Sequence, residues 1–456
     1  MPKRVAITGL GVVSPYGVGI DALWAGLASE RSTLGPCSRL DLSGFPCHLA
    51  AEIKDFSAKD HVPKSYRKAV KVMARDTEIA VAAAKAAVEH ANIFTRSHAE
   101  TNPTPTYPPE RVGCQIGAGL IAAETLELTQ ALATAVDPAA AADDPSRGFR
   151  LKDWGTIDAA GGMNNLQPLW LLKYLPNMLA CHVTIIHGTE GASNTITCGE
   201  ASGLLSLGES RRVIERGECD ACFSGSAESK LSHMGVMRAV LAGRVASTGT
   251  TTDGADVVRP FDGSSGGTLV GEGGGIIILE EWDAAEKRNA TKYAEVIGFG
   301  ASHSVPARIP PVSREIASET NAGLARAILA ALADAKIGPT DIDLIVTQGT
   351  GSAPLDAAEL GAMEHVFGGR LTGIPLFSLA PFMGDLAAGQ GGVQVAVAAM
   401  ALHHQTLPAQ IQRGHPRPIA NIRARSSTPH PLRHVLVHSG SLTGQNAAMV
   451  LRAAKI

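Results

Sequence analysis

Short apolar, β-branched runs alternate along this chain with longer alanine-rich stretches of helical character. Residues 5–7, 276–279, 342–347 and 434–438 read as strands, whereas 77–91, 323–335 and 391–403 read as helices. Such alternation predicts mixed or parallel sheets covered by helices, an α/β class of fold. Glycine is abundant, at 49 residues, while aromatics make up only 4 %. That balance suits helices packed closely on sheets through tight, glycine-lined strand ends. With 456 residues the chain is long enough for two core-bearing units or one large duplicated one.

Two strand-and-turn units look alike, RVAITGLGVVSPYG at 4–17 and DLIVTQGTGSAPL at 343–355, and predict a weak internal duplication. The best division falls near 288–293, separating 1–290 from 291–456 as two halves of one unit rather than two independent domains. Residues 94–109 and 137–147 read as surface loops. The opening MPKRVAITGLGVVSP reads as a first strand and not as a secretory leader, because its apolar run is short and broken by Gly and Pro. No stretch approaches the ~20 apolar residues of a membrane span, so no membrane and a cytoplasmic location are expected. Seven cysteines without framework spacing suit a reducing compartment. A formal charge of −3 with both signs interspersed gives no reason to invoke nucleic acid, although a local basic patch for an acidic carrier protein stays open.

Three features suggest ligands and are read more plainly. Cys219 and Cys222 form a C-x-x-C in a strand without a second pair, and are expected to be core cysteines. The glycine runs at 9–17 and 271–275 lack a full G-x-G-x-x-G with a following acid, and are expected to serve backbone packing. His403 and His404 end an alanine-rich helix and are expected to be a solvated terminus. No metal or cofactor is therefore anticipated.

The segment NMLACHVTIIHGTEGASNTITCGEASGLLSLGESRRVIERGECDACFSGSAES, 177–229, resembles the active-site region of the β-ketoacyl-ACP synthases of the thiolase superfamily. RPFDGSSGGTLVGEGGGIIILEEWDAAEKRNATKYAEVIGFG, 259–300, matches that family's RPFD, glycine-rich strand and LEE motifs almost position by position. The opening RVAITGLGVVSPYG and the closing Thr443, Gly444, Gln445 and Asn446 also fit. The resemblance spans nearly the whole chain. It implies a thiolase fold, layered αβαβα in two similar halves and usually dimeric, with a nucleophilic cysteine at the N-terminus of a buried helix. A helix N-terminus favours the thiolate that must attack an acyl thioester. Two histidines in the family then support decarboxylation and stabilise the enolate.

None of these groups is found where the resemblance predicts it. Counting from both sides puts the nucleophile position at Glu200. Cys198 lies two residues earlier and is read as a small buried residue of the incoming strand, with use as the nucleophile requiring a shifted turn. The first histidine position holds Gln348, in Gln348-Gly349-Thr350. The pattern S-x-K followed by G-H becomes Ser378, Ala380, Gly384 and Asp385, so that the lysine position holds Ala380 and the second histidine position Asp385. A flexible phenylalanine–glycine loop reads Gly440-Ser441-Leu442-Thr443-Gly444, without the aromatic.

A carboxylate is a far weaker nucleophile toward thioesters than a thiolate, and an ionised Glu200 would repel a malonyl carboxylate. The resemblance therefore implies a non-condensing, pseudoenzyme member, analogous to the chain-length factor that pairs with an active ketosynthase in polyketide or fatty-acid-type synthesis. Its expected partners are an acyl carrier protein and a second subunit, in a homodimer or in a heterodimer with an active ketosynthase. Two other readings stand beside it. In one, Glu200 and Asp385 form a new acid/base pair acting on acyl thioesters, their pKa values split by proximity. In the other, the pocket is dead, closed by hydrogen bonds to Gln348 and backbone.

Overall fold

The computed structural model describes residues 2–101, 104–144, 148–155, 162–166, 168–304 and 320–454. Ten strands form the main body of one sheet: β1 (Val5–Ser14), β2 (Val112–Ala118), β3 (Ser193–Ile196), β4 (Ala221–Ser229), β5 (Glu272–Glu281), β6 (Ala294–His303), β7 (Leu344–Val346), β8 (Leu376–Phe377), β9 (His434–Gly440) and β10 (Gln445–Ala453). Their order is β8-β7-β9-β10-β6-β1-β5-β4-β2-β3. The sequence runs of β-branched residues mark β1, β5, β7 and β9, each buried nearly throughout.

The order is symmetric about the β1–β6 junction. From β1 outward the pairings run antiparallel to β5, antiparallel to β4, then parallel to β2 and β3. From β6 outward they run antiparallel to β10, antiparallel to β9, then parallel to β7 and β8. The two halves are thus similar, as expected, but the counterpart of β1 is β6, and β7 answers to β2. The equation of 4–17 with 343–355 is corrected accordingly. An apolar strand running into a glycine-rich turn is a local pattern that recurs at different places in such a half, so it identifies no particular strand.

Among the helices of the described residues, seven matter most here: α1 (Arg75–Ala91), α2 (Met178–His187), α3 (Ser202–Glu215), α4 (His233–Leu241), α5 (Ala322–Ala335), α6 (Ala353–Phe367) and α7 (Gln390–His404). α1 covers β1 and β5 and touches α2; α5 covers β6 and β10 and touches α6. α3 and α7 lie in the middle, against the strands of both halves and against each other. α7 is buried from Gln390 through Leu402, as an apolar helix packed against both halves of the sheet and against α3 must be. Its close approach rests on glycine: a Cβ on Gly392 would stand 2.0 Å from the Gly275 carbonyl oxygen of β5. Gly392→Ala is expected to cost about 3 kcal/mol, the upper end for overpacking, read as a lowered urea midpoint. The 271–275 run thus serves backbone packing here.

The segment read as a loop at 137–147 contains a short helix, Pro138–Asp143, whose N-cap Asp137 accepts the Ala139 and Ala140 N–H groups. Pro at the first helical turn and an aspartate cap are helix-start signals that the loop reading passed over. Residues 145–147 of that segment, and 102–103 of the loop at 94–109, lie outside the described residues. His403 and His404 are exposed as expected, yet they pack on Tyr293 and Trp24 with ring centroids 4.8 and 5.7 Å apart.

Candidate active site

The pseudo-symmetry directs two helix N-termini at one place. A 3-10 turn, Gly199–Ala201, leads into α3, and a matching turn, Ala387–Gly389, leads into α7. Gly199 takes a φ of +58°, which glycine adopts freely, and it lets the chain bend from β3 into the helix with Glu200 directed inward. Between the two turns lies a cavity of about 460 Å³, walled by Glu200, Glu228, Lys230, Arg244, Asp385 and Leu442 among others.

Glu200 is buried, and its carboxylate is ion-paired to Arg244. Its second oxygen accepts the Leu442 N–H at 3.4 Å, and its backbone carbonyl accepts the Ser439 hydroxyl at 3.0 Å. Arg244 extends its other terminal nitrogen to Asp385, 2.7 Å away. The remaining Asp385 oxygen caps the 387–389 turn by accepting the Ala387 N–H at 2.8 Å. Beside this bridge, Lys230 is ion-paired to Glu228, whose other oxygen accepts the Ala388 N–H at 2.6 Å.

The electrostatics follow from these contacts. Burial pushes the Glu200 carboxyl up, but the Arg244 guanidinium outweighs it and holds the group below the ordinary glutamate range. Burial likewise opposes charge on Arg244, and Asp385 and Glu200 together raise it above its usual value. Burial keeps Glu228 raised despite Lys230. For Lys230, burial is outweighed by Glu228, Asp76 and Asp385, and the ammonium is held raised. At neutral pH the Glu200 carboxylate and both cations are therefore charged.

Glu200 and Asp385 thus share one cavity, with a guanidinium between them. Gln348 and Ala380 lie off its wall. The Gln348 side-chain oxygen accepts the Gly440 N–H at 3.0 Å, and the Ala380 N–H is held by the Ser378 hydroxyl at 3.1 Å. A pocket closed over Glu200 by Gln348 is therefore not what is observed; Gln348 is spent on the Gly440 backbone and the cavity persists. Cys198 departs from its expected place too. It follows β3 instead of lying in it, is half-buried, and lines the cavity, with burial raising its thiol pKa. Leu442 and Thr443 of the loop lacking its aromatic also face the cavity.

Arg244, Glu228 and Lys230 were not singled out by sequence reasoning. Glu228 is the penultimate residue of β4 and Lys230 lies just beyond its end; charges at the tail of an otherwise apolar and small-residue strand, SGSAESK, are the signal that marks them. Arg244 carries no comparable signal, since it lies in the irregular stretch after α4.

Beneath the cavity a second buried acid set supports the 347–352 loop. The Glu359 oxygens accept the Gln348 and Gly349 N–H groups, both at 2.9 Å, and Asp356 accepts those of Thr350 and Gly351. Burial, reinforced by Asp356, raises Glu359 to about 8, and burial raises Asp356 to about 6. The folded protein therefore keeps a proton on Glu359 that the unfolded chain releases above its ordinary value of 4.5, so this group makes stability fall as pH rises from there toward 8. Glu359→Gln is expected to remove up to about 1.4 kcal/mol per pH unit of that decline, seen as the difference between wild-type and variant urea midpoints across the window. A difference independent of pH would contradict the assignment.

Cys219 and Cys222 are buried, and among the described residues no cluster of His, Cys, Asp or Glu could hold a metal ion. No described helix is long and apolar enough to cross a membrane.

Comparison with known proteins fixes the class to which this fold and site belong. The family model of the beta-ketoacyl synthase N-terminal domain matches residues 2–285, and that of the C-terminal domain matches 293–413. The chain belongs to the beta-ketoacyl synthase family. It is 31 % identical over 454 residues to the actinorhodin polyketide beta-ketoacyl synthase 2 of Streptomyces coelicolor, covering 98 % of each chain. To 3-oxoacyl-[acyl-carrier-protein] synthase 2 of Staphylococcus aureus it is 27 % identical, covering 99 % of this chain and 98 % of the other. Among solved structures it resembles the ishigamide ketosynthase/chain length factor, with a TM-score of 0.79, 25 % identity, and coverage of 99 % and 100 %. A beta-ketoacyl synthase from Burkholderia phymatum shares the fold at a TM-score of 0.79 and 23 % identity, with coverage of 99 % and 100 %. The architecture is the thiolase fold.

Proposed function

We propose that this protein is a non-condensing ketosynthase subunit of fatty-acid- or polyketide-type synthesis, acting like a chain-length factor beside an active ketosynthase. The observation that carries the reading is the Glu200–Arg244–Asp385 bridge. The position from which a thiolate would attack holds a carboxylate engaged by a guanidinium, and Arg244 holds Asp385 in the same way. Both carboxyls are engaged by the one guanidinium, so the bridge also weighs against the alternative, an acid/base enzyme working through Glu200 and Asp385. Gln348 and Ala380, at the remaining two positions, offer no imidazole or ammonium.

Partner binding is supported by surface features. β3 ends the sheet, and its first residues, Ser193 and Asn194, are exposed, leaving a backbone edge open to pairing with another chain. Leu120, Met237 and Leu241 are exposed apolar residues, and the Leu120 carbonyl accepts from Arg238 in α4. Lys64, Arg67, Lys68 and Lys71 are exposed on a single 3-10 stretch, Lys64–Val72, and suit an acidic acyl carrier protein. A solved structure that shares the fold at a TM-score of 0.79 and 22 % identity, AntDE:AntF, is a type II PKS acyl-carrier protein in complex with its ketosynthase. The division at 290/291 is proposed on the same footing, as the point where one half of the duplicated unit passes to the other.

Co-expression with active ketosynthases from the same genome tests this reading. The expected result is a stable heterodimer that elongates acyl chains only with both subunits present. A homodimer that ignores every such ketosynthase would remove the partner role.

A further inference from the structure

We propose that Cys219 and Cys222 form a redox-active dithiol, independent of the ketosynthase reading, that hydrogen peroxide closes to an intramolecular disulfide. The pattern C-x-x-C alone reads as a pair of core cysteines, and three structural observations carry it further.

The first is contact. Cys222 of β4 pairs with Gly113 of β2, and the chain bends at Asp220, which brings Cys219 back over the same glycine. A Cβ on Gly113 would stand 2.8 Å from the Cys222 Sγ and 3.1 Å from the Cys219 Sγ, so both sulfurs converge on one point. The second is an environment that treats the two thiols differently. The Cys219 sulfur accepts a hydrogen bond from the Cys222 thiol and another from the Ala192 N–H, and it faces the Arg111 guanidinium. Arg111 also clamps the turn: its Nη1 donates to the Gly217 and Glu218 carbonyls at 3.0 and 2.9 Å, and its Nε and Nη2 engage Asp220 at 2.9 and 2.6 Å. The Cys222 hydrogen bond, with Ala192 and Arg111, outweighs burial and holds Cys219 down to about 7, whereas Cys222 is raised well above the ordinary thiol value. Buried Cys114 has no such donors, and burial simply raises it. Two cysteines serving only to pack would both behave like Cys114.

The third observation is how thinly the pair is covered. Both cysteines are buried, yet the Cys219 sulfur lies 2.9 Å from where a Cβ on Gly191 would stand, and Gly191 is partly exposed, as is Asp220, while Glu218 is exposed. Local opening of that turn passes a molecule the size of peroxide and excludes bulky disulfides. The Cys219 thiolate attacks one peroxide oxygen, breaking the O–O bond to give a sulfenic acid and hydroxide. The Cys222 sulfur then attacks the sulfenic sulfur, the S–S bond forms, and the hydroxyl leaves as water with the Cys222 proton. In sum two thiols lose two electrons and two protons, and one peroxide becomes two waters.

The full chain treated with hydrogen peroxide, alkylated after denaturation and digested with trypsin tests this, because the tryptic peptide 217–230 carries these two cysteines and no other. The expected result is a peptide without alkyl groups, lighter by two hydrogens, that dithiothreitol returns to the doubly alkylated form. Cys222→Ala is expected to stop at a sulfenic acid on Cys219 that dimedone traps, and Cys219→Ser to lose the disulfide and leave Cys222 reduced. The wild-type digest is decisive whether or not the variants fold. Recovery of both thiols alkylated at a peroxide dose that oxidises the half-buried Cys37, Cys181 and Cys198 would overturn the proposal, as would dimedone labelling of Cys222 in Cys219→Ser.

Discussion

Arg244→Met is expected to destabilise the protein by about 3–5 kcal/mol, the usual consequence of removing one partner from a buried ion pair. Arg244 compensates Glu200 and Asp385 at once, both on the wall of the same cavity. Without it, each carboxylate must bury its charge alone or take up a proton. The Glu200 carboxyl, now held below its ordinary range, would then titrate above it, because burial is the largest influence on it and would stand unopposed by Arg244. The variant should therefore be weakest at alkaline pH and recover part of its stability as pH falls. Urea unfolding at several pH values checks both statements. Glu200→Gln combined with Arg244→Met is expected to lose less than Arg244→Met alone, since the amide carries no charge to be stranded; an equal loss would show that Arg244 acts through packing only.

If the non-condensing reading holds, Glu200→Cys in a Cys198→Ala background should give the chain an acyl adduct that the wild type is expected not to form, yet leave it unable to condense. The introduced thiol would sit at the N-terminal end of α3, beside Arg244, and both features favour the thiolate. Acyl transfer from acyl-ACP onto it is then expected to be readable as one added acyl mass. On the proposed reading, decarboxylation and enolate stabilisation need groups this site lacks: Gln348 is tied to the Gly440 backbone, and Asp385 is bound to Arg244. Condensation is expected to remain about 10²- to 10⁴-fold or more below that of a complete Cys-His-His enzyme, the scale of a missing general acid–base group. Recovery of condensation by the single thiol would mean that Gln348 and Asp385 are no obstacle. The Cys198→Ala change matters because the native thiol lines the same cavity and could take label itself.

Much of the fold was legible in the sequence because its strands are buried on both faces and read as continuous apolar runs, as in β1, β5 and β9. The long helices were legible for a related reason: α7 is alanine-rich and glycine-studded, the composition of a helix pressed closely against a sheet. Strand identity within each half was less accessible. A glycine-rich turn follows both β1 and β7, and only the pairing order shows that their counterparts are β6 and β2. The register that assigns Glu200 to the nucleophile position rests on motifs on both sides giving the same count. What could not be read is that Arg244 joins Glu200 to Asp385 across 44 and 141 residues of chain. An ion pair of that separation leaves no periodicity, and a single arginine in an irregular segment looks like any solvated one.

On the proposed reading, the bridge also gives Glu200 and Asp385 a joint role. Replacement of a nucleophile alone leaves a cavity with an inert residue in it. Here the replacements form a compensated ionic cluster, with Lys230 and Glu228 beside it, that anchors the turns leading into α3 and α7. A site so constructed holds the turns before α3 and α7 together while about 460 Å³ of space stays open.

Intact-protein mass spectrometry with turnover assays tests the central claim most directly, using the chain alone with acyl- and malonyl-ACP and then the chain with an active ketosynthase. The account predicts no adduct and no turnover for the chain alone, with elongation appearing only in the mixture. An acyl adduct on the wild-type chain, or turnover by the chain alone that Glu200→Gln abolishes, would contradict it.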